Sequence, residues 1–215
     1  MPRGKPLQQN PPANRDNDAP LQSIKDEVTA IKVERIIRES ADLFFRNGYT
    51  QTKMSDIADS LGATKPFVYN HFDSKSRILI EICERGTRDA LEAAETAIEG
   101  KTSPSDKFEA FVRAFANAVL DDYKFVLIYF REELNIPPDS AEKITQMRKR
   151  INKILLDILS EGLKAGAFKI NDPKLSALII TGMASYAFAW YRGDGRFGKD
   201  TIIAEIVSSS LKLVL

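Results

Sequence analysis

The stretch TKMSDIADSLGATKPFVYNHFDSK, residues 52–75, packs two short helical segments into a chain whose other segments are long. Thr52 is placed to cap a helix of about nine residues carrying Met54, Ile57, Ala58 and Leu61 at helical spacing, and Gly62 supplies its stop. Thr64 is placed to cap the second helix, with Pro66 in the first turn, where a missing amide hydrogen is tolerated. Two short helices across a tight glycine turn, packed on a longer preceding helix, form a helix-turn-helix, whose second helix enters the major groove of DNA.

The polar residues of that second helix suit the same use. A capped N-terminus offers free backbone amides to a phosphate, and Lys65 and Lys75 flank it with positive charge. Tyr69 and His71, the sole histidine, can donate to phosphate oxygens, while Phe67 and Asn70 are placed for base edges or thymine methyls. Phe72 and Val68 are expected to turn inward. A lone His-Phe pair elsewhere would be read as packing or plain surface; here two capped helices precede it.

Outward from this pair the apolar spacing is helical throughout, so the fold class is all-α. The first helix is expected from about Asp26 to Asn47, with Val33, Ile36, Ile37, Ser40, Leu43 and Phe44 inward and Gly48 as its stop. A long helix starts at Asp73 or Ser74 and runs to Ile98. Ser103 and Asp106 have capping-box spacing around Pro104, ahead of Phe108, Phe111, Val112, Phe115 and Val119 on one face. Helices are then expected over 122–134, from Asp139 to Gly162, over 173–192 and over 199–214.

Composition narrows the function. Of 215 residues, 43% are hydrophobic and 28% charged, the balance of a globular protein, and the net charge of +1 means that any attraction to nucleic acid is local. A single cysteine, Cys83, excludes an intramolecular disulfide and fits a reducing, cytoplasmic setting. Without clustered His, Cys or carboxylates, no enzyme, metal site or cofactor is expected. The longest apolar stretch, from Leu175 to Tyr191, is interrupted by Ser176, Thr181, Gly182 and Ser185 and is short for a bilayer, so no membrane association is expected. Residues 1–22, which hold half of the ten prolines, are expected to form a disordered tail; Arg3, Lys5 and Arg15 within it are read as solvated rather than as a basic arm on DNA.

The segment IIRESADLFFRNGYTQTKMSDIADSLGATKPFVYNHFDSK, residues 36–75, resembles the DNA-binding domain of the TetR family of bacterial transcriptional regulators. Leu43, Phe44, Gly48, Tyr49, Asp56, Ile57, Ala58, Gly62, Tyr69 and Phe72 fall on that pattern in register. The resemblance implies that Thr52, Lys53, Lys65, Phe67, Tyr69, Asn70, His71 and Lys75 face double-stranded operator DNA, and Thr64, at the capped N-terminus, is expected beside them. Pro66 and Phe67 depart from the usual small residues, so base preference is not carried over. Ser40 replaces a usual alanine and is expected to be harmless.

The resemblance further implies a helix-turn-helix domain over 23–74 and an effector-binding and dimerisation domain over 75–215. It implies a homodimeric repressor on a palindromic operator, released by a small apolar effector. The segments YFREEL, EGLKAGAFK and AFAWYRGDGRF are similar to acyl-CoA-sensing members, so an acyl-CoA thioester is the expected effector, with a free fatty acid, an aromatic or a drug-like compound as alternatives. Phe111, Phe115, Phe125, Tyr129, Arg131, Tyr186, Trp190 and Arg192 are the expected ligand-binding residues, with Arg196 a further candidate at the pocket mouth; core packing and loop ion pairs are the competing uses. A helical interaction protein without DNA binding is the alternative class, and the intact TKPFVYNHF argues against it.

Overall fold

The chain builds helices because its apolar residues recur every three to four positions, and each helix buries that stripe against its neighbours. The computed structural model describes residues 18–215, with side chains from Ile24 onward. Residues 1–17, and with them Arg3, Lys5, Arg15 and most of the expected tail, lie outside the described residues. Nine α-helices are present among the described residues: α1 Asp18–Asn47, α2 Met54–Ser60, α3 Lys65–Tyr69, α4 Lys75–Ile98, α5 Pro104–Asp121, α6 Tyr123–Glu132, α7 Pro138–Lys164, α8 Pro173–Ser185 and α9 Lys199–Lys212. Short 3-10 turns follow α6 at Glu133–Asn135 and α8 at Tyr186–Ala189.

Helix α1 is described from Asp18, ahead of the expected Asp26, so residues 18–22 of the expected tail are helical. The cap of α2 also differs from expectation. Lys53 is the N-cap residue, its amide donating to Asp56 Oδ2 at 2.8 Å, while the Thr52 hydroxyl turns back to the carbonyl of Gly48 at 2.9 Å. At the other end of α2, Gly62 at φ +63° lets Ala63 N–H reach Ala58 O at 2.9 Å and Gly62 N–H reach Asp59 O at 3.0 Å. This pair of bonds satisfies the last carbonyls and sets the turn into α3.

Two apolar clusters share α4. Its first half contributes Ile78, Leu79, Ile82 and Cys83 to a cluster with Ile36, Ile37 and Phe44 of α1, Ile57 of α2, Val68 of α3, and Phe125 and Ile128 of α6. Its second half contributes Ala90 and Ala94 to a cluster built by α5, α7, α8 and α9. The packing of α1–α3 therefore continues past residue 74. Between the two halves lies Gly86, where a Cβ would stand 3.2 Å from Phe125 Cβ; its bare backbone lets α6 approach α4 closely.

Ser40 is a correction to the expected harmless exchange. It is fully buried in α1, and its hydroxyl has no hydrogen-bond partner among the described residues. An unpaired buried hydroxyl costs about 1–3 kcal/mol.

Candidate nucleic-acid interface and effector cavity

Helix α3 is too short to stand alone and is held by the side chains on its inner face. Val68 is fully buried and Phe72 nearly so, and that anchoring turns the opposite face outward. Thr64, Lys65, Tyr69 and Asn70 are exposed there, and Lys53 is exposed at the start of α2; Tyr69 keeps 49% of its surface in solvent. Neither Lys53 nor Lys65 forms an ion pair among the described residues, so the outer face carries uncompensated positive charge. Thr64 is the N-cap residue of α3 by backbone conformation, with no hydrogen bond from its side chain to the helix.

Three other expected DNA-facing residues are partly or wholly committed to the fold. Thr52 is buried, with its hydroxyl on Gly48. Phe67 is half-buried against the apolar cluster and meets the His71 ring edge-on at 5.3 Å, which leaves His71 half-exposed beside it. Lys75 folds back, its Nζ donating to the carbonyls of Tyr49 at 2.6 Å and Thr52 at 2.7 Å and lying 4.2 Å from the centre of the Tyr49 ring. Burial lowers its pKa. The ammonium thus clamps the turn between α1 and α2 to the first turn of α4, because the carbonyls after Gly48 have no helix to pair with.

In the second cluster the helices leave space. A cavity lies between α4, α5, α6, α7 and α8 in two adjoining lobes that share Phe115, Phe130, Arg148, Ile151 and Ser185. The inner lobe, about 60 Å³, is walled by Gly86, Ala90, Val119, Val126 and Tyr129. The outer lobe, about 290 Å³, opens past Asn152, Leu178, Thr181 and Tyr186.

Of the expected ligand-binding residues, Phe115, Tyr129 and Tyr186 line this cavity. The others are placed elsewhere. Phe111 is fully buried in the core, its ring 5.9 Å from that of Phe115, and Phe125 is buried against Gly86 in the other cluster. Arg131 lies two residues from Tyr129, hence on the opposite face of α6, where its guanidinium lies 5.9 Å from the ring centre of Phe45 in α1. Trp190, half-exposed, belongs to a separate apolar groove of about 490 Å³ with Met183, Phe197, Ile202 and Ile206. Arg192 is exposed and donates to the Tyr191 carbonyl at 2.9 Å; Arg196 is exposed, 5.1 Å from the Phe197 ring centre.

Sequence reasoning passed over the cavity's polar groups. Arg148 Nη1 donates to the Tyr129 hydroxyl at 3.1 Å, and that hydroxyl in turn contacts Glu133 Oε1 at 3.2 Å. Burial raises the Tyr129 pKa, so the phenol stays neutral. The Thr181 hydroxyl bridges Asn152 Oδ1 at 2.8 Å and the Ala177 carbonyl at 2.8 Å. The available signal was the position of Arg148 and Asn152 on either side of Ile151, at the edge of the α7 apolar stripe. Cys83 is inert packing: burial pushes its thiol up to about 12. Among the described residues no helix is long and apolar enough to cross a membrane.

Residues 36–82 match the family model for bacterial regulatory proteins of the tetR family, and residues 101–214 match a tetracyclin repressor-like C-terminal domain. The HTH-type transcriptional repressor KstR2 of Rhodococcus jostii is 28% identical over 173 residues, covering 79% of this chain and 84% of that protein. The structure of PfmR, a TetR family transcriptional regulator from Thermus thermophilus, superposes with a TM-score of 0.77 at 29% identity, covering 83% of this chain and 97% of that one. AibR, solved in complex with isovaleryl coenzyme A and operator DNA, superposes with a TM-score of 0.72 at 23% identity, covering 83% and 97%.

Proposed function

Because the chain belongs to the TetR family of transcriptional regulators, which are DNA-binding proteins and not enzymes, we propose that it is a ligand-responsive repressor: a homodimer on a palindromic operator, released by an acyl-CoA thioester. Lys53, Thr64, Lys65, Tyr69, Asn70 and His71 present the DNA-facing surface, and Phe67 reaches it only at its rim. Thr52 and Lys75 act on DNA indirectly, by fixing the turn that carries α2 and α3.

The observation that carries the reading is the position of the cavity beside α4. Gly86 and Ala90 of α4 line the inner lobe, while Ile78 and Leu79, two turns earlier, pack against α1–α3. A ligand that prefers one α4 position therefore biases the placement of α3, and release follows only from that difference in preference. The apolar lining suits an acyl chain, and the AibR complex with isovaleryl coenzyme A supports a thioester. Dimerisation is supported by the exposed apolar side chains Leu175, Ile179, Trp190, Phe197 and Leu213 on or beside α8 and α9. Two copies would also match half-sites about 34–36 Å apart.

The test is a DNA-binding titration of the full chain on its own upstream region, by fluorescence anisotropy, repeated with acyl-CoA thioesters, free fatty acids and unrelated aromatic compounds. Salt-sensitive, sequence-preferring binding that a thioester dissociates is the expected result. Binding that no thioester disturbs would overturn the effector assignment, and absence of sequence preference would overturn the repressor.

A further inference from the structure

An acyl-CoA-responsive repressor needs a group that holds the polar end of its effector, and the assignment of that group rests on the proposed function. The cavity has a sense of direction. Its inner lobe meets α4 at Gly86, Thr87 and Ala90 and is walled by Val119 and Val126, with Tyr129 its polar group on α6, while Arg148 and Asn152 of α7 and Thr181 and Ser185 of α8 supply the polar side chains toward the outer lobe. Arg148 lines both lobes. Elsewhere on α7, Lys143, Arg150 and Lys153 each hold a carboxylate, while Lys149 and Lys164 form no ion pair among the described residues but line neither lobe. Arg148 forms no ion pair among the described residues; its Nη1 rests on the neutral Tyr129 hydroxyl at 3.1 Å. A guanidinium carries five N–H donors, and one hydroxyl occupies one of them. The Glu133 carboxylate reaches it through the Tyr129 hydroxyl and forms no ion pair with it, so the guanidinium keeps donors for a ligand that brings negative charge.

We propose that Arg148 orients the effector, gripping the oxygen-bearing, negatively charged head of an acyl ligand while the chain runs into the apolar lobe that ends at Gly86. The Asn152–Thr181 pair, one turn further along α7, is a second polar contact at the same end. This assigns the head group to α7 and not to Arg131, Arg192 or Arg196, none of which lines the cavity. Lobes of about 60 and 290 Å³ only together reach the lower end of the ~300–1,000 Å³ range of ligand pockets, so the cavity accommodates a short or medium chain and leaves a nucleotide-sized head outside. Engaging Arg148 also draws it from Tyr129, whose hydroxyl then depends on Glu133 at the end of α6.

The experiment is isothermal titration of the full chain, wild type and the variants Arg148→Gln and Arg148→Lys, with decanoyl-CoA, decanoate and decanol. Loss of one charge-assisted bond predicts about 10- to 100-fold weaker binding of the charged ligand by Arg148→Gln. Arg148→Lys should recover part of that loss. Decanol, which keeps the chain without the charge, should bind both variants as it binds wild type, which also shows that the cavity survives the exchange. The two charged probes separate a thioester from a free acid as the source of the head. If wild type binds a charged probe and Arg148→Gln binds it equally, the role of Arg148 is overturned. If wild type binds neither charged probe, the acyl reading itself falls, and this inference with it.

Discussion

The two ends of α4 are packed in different ways. Around its first half, the short helices α2 and α3 and the turn that follows the long α1 are fixed by individual devices: the Gly62 turn, the Asp56 bond to Lys53 N–H, the Lys75 clamp on Tyr49 and Thr52. Around its second half, long helices cross with regular stripes and leave a two-lobed gap. A reading head has to present several side chains at fixed spacing, and close packing with turn-specific bonds provides that rigidity. A sensor has to admit a guest, and incomplete packing provides the space. The price of the first is intolerance to change, and substitutions on either side of α4 probe that contrast.

The largest effect should come from truncating the head core. Ile57→Ala, at a fully buried site of α2, is expected to cost about 2–5 kcal/mol in urea unfolding. Phe130→Ala should cost less despite removing a larger side chain, because that ring borders the cavity and is 43% exposed. Equal losses at the two sites would erase the contrast.

Lys75→Met should come next. It removes the ammonium from the carbonyls of Tyr49, Thr50 and Thr52, with an expected cost of about 1–3 kcal/mol in stability. Operator binding should weaken while the slope of log affinity against log salt stays unchanged, since the charge faces backbone and not phosphate. A reduced slope would return Lys75 to the DNA-contacting set.

Ser40→Ala tests a flaw in the head's packing. Removing an unpartnered buried hydroxyl should raise stability by about 1 kcal/mol, measured as a higher melting temperature. Lys65→Ala should have the smallest effect on the fold, within about 0.5 kcal/mol of wild type. It should lower the salt slope of DNA binding by about 0.9, the signature of one lost phosphate contact.

The reading head was the legible part of this chain because its devices are local. Gly62, Pro66, Ser74 and the apolar spacing of α2 act within a few residues, so their order along the sequence states the helix-turn-helix directly. Two local readings still failed. Thr52 has the chemistry of a cap, but the carbonyl of Gly48 is within reach of its hydroxyl and takes it. Ser40 reads as a neutral exchange until the tight packing around it shows that nothing meets its oxygen.

The cavity was legible only as a helical domain with aromatic residues to spare. Phe111 and Phe115 share one face of α5 by spacing, yet one is buried in the core and the other lines the cavity; Tyr129 and Arg131 are neighbours in sequence and face opposite ways. The sequence by itself determined the all-α class, the helix order, the turns and the helix-turn-helix, since each follows from residue spacing and turn chemistry within a few positions. Only the tertiary structure decided that Lys75 clamps a turn 23 to 26 residues away, that Arg148 meets Tyr129 across 19 residues, and where the gap between the helices falls. Those outcomes depend on how the helices cross and rotate against one another, which the stripes constrain only to a face, and the final angle is set by the summed packing of all the elements at once.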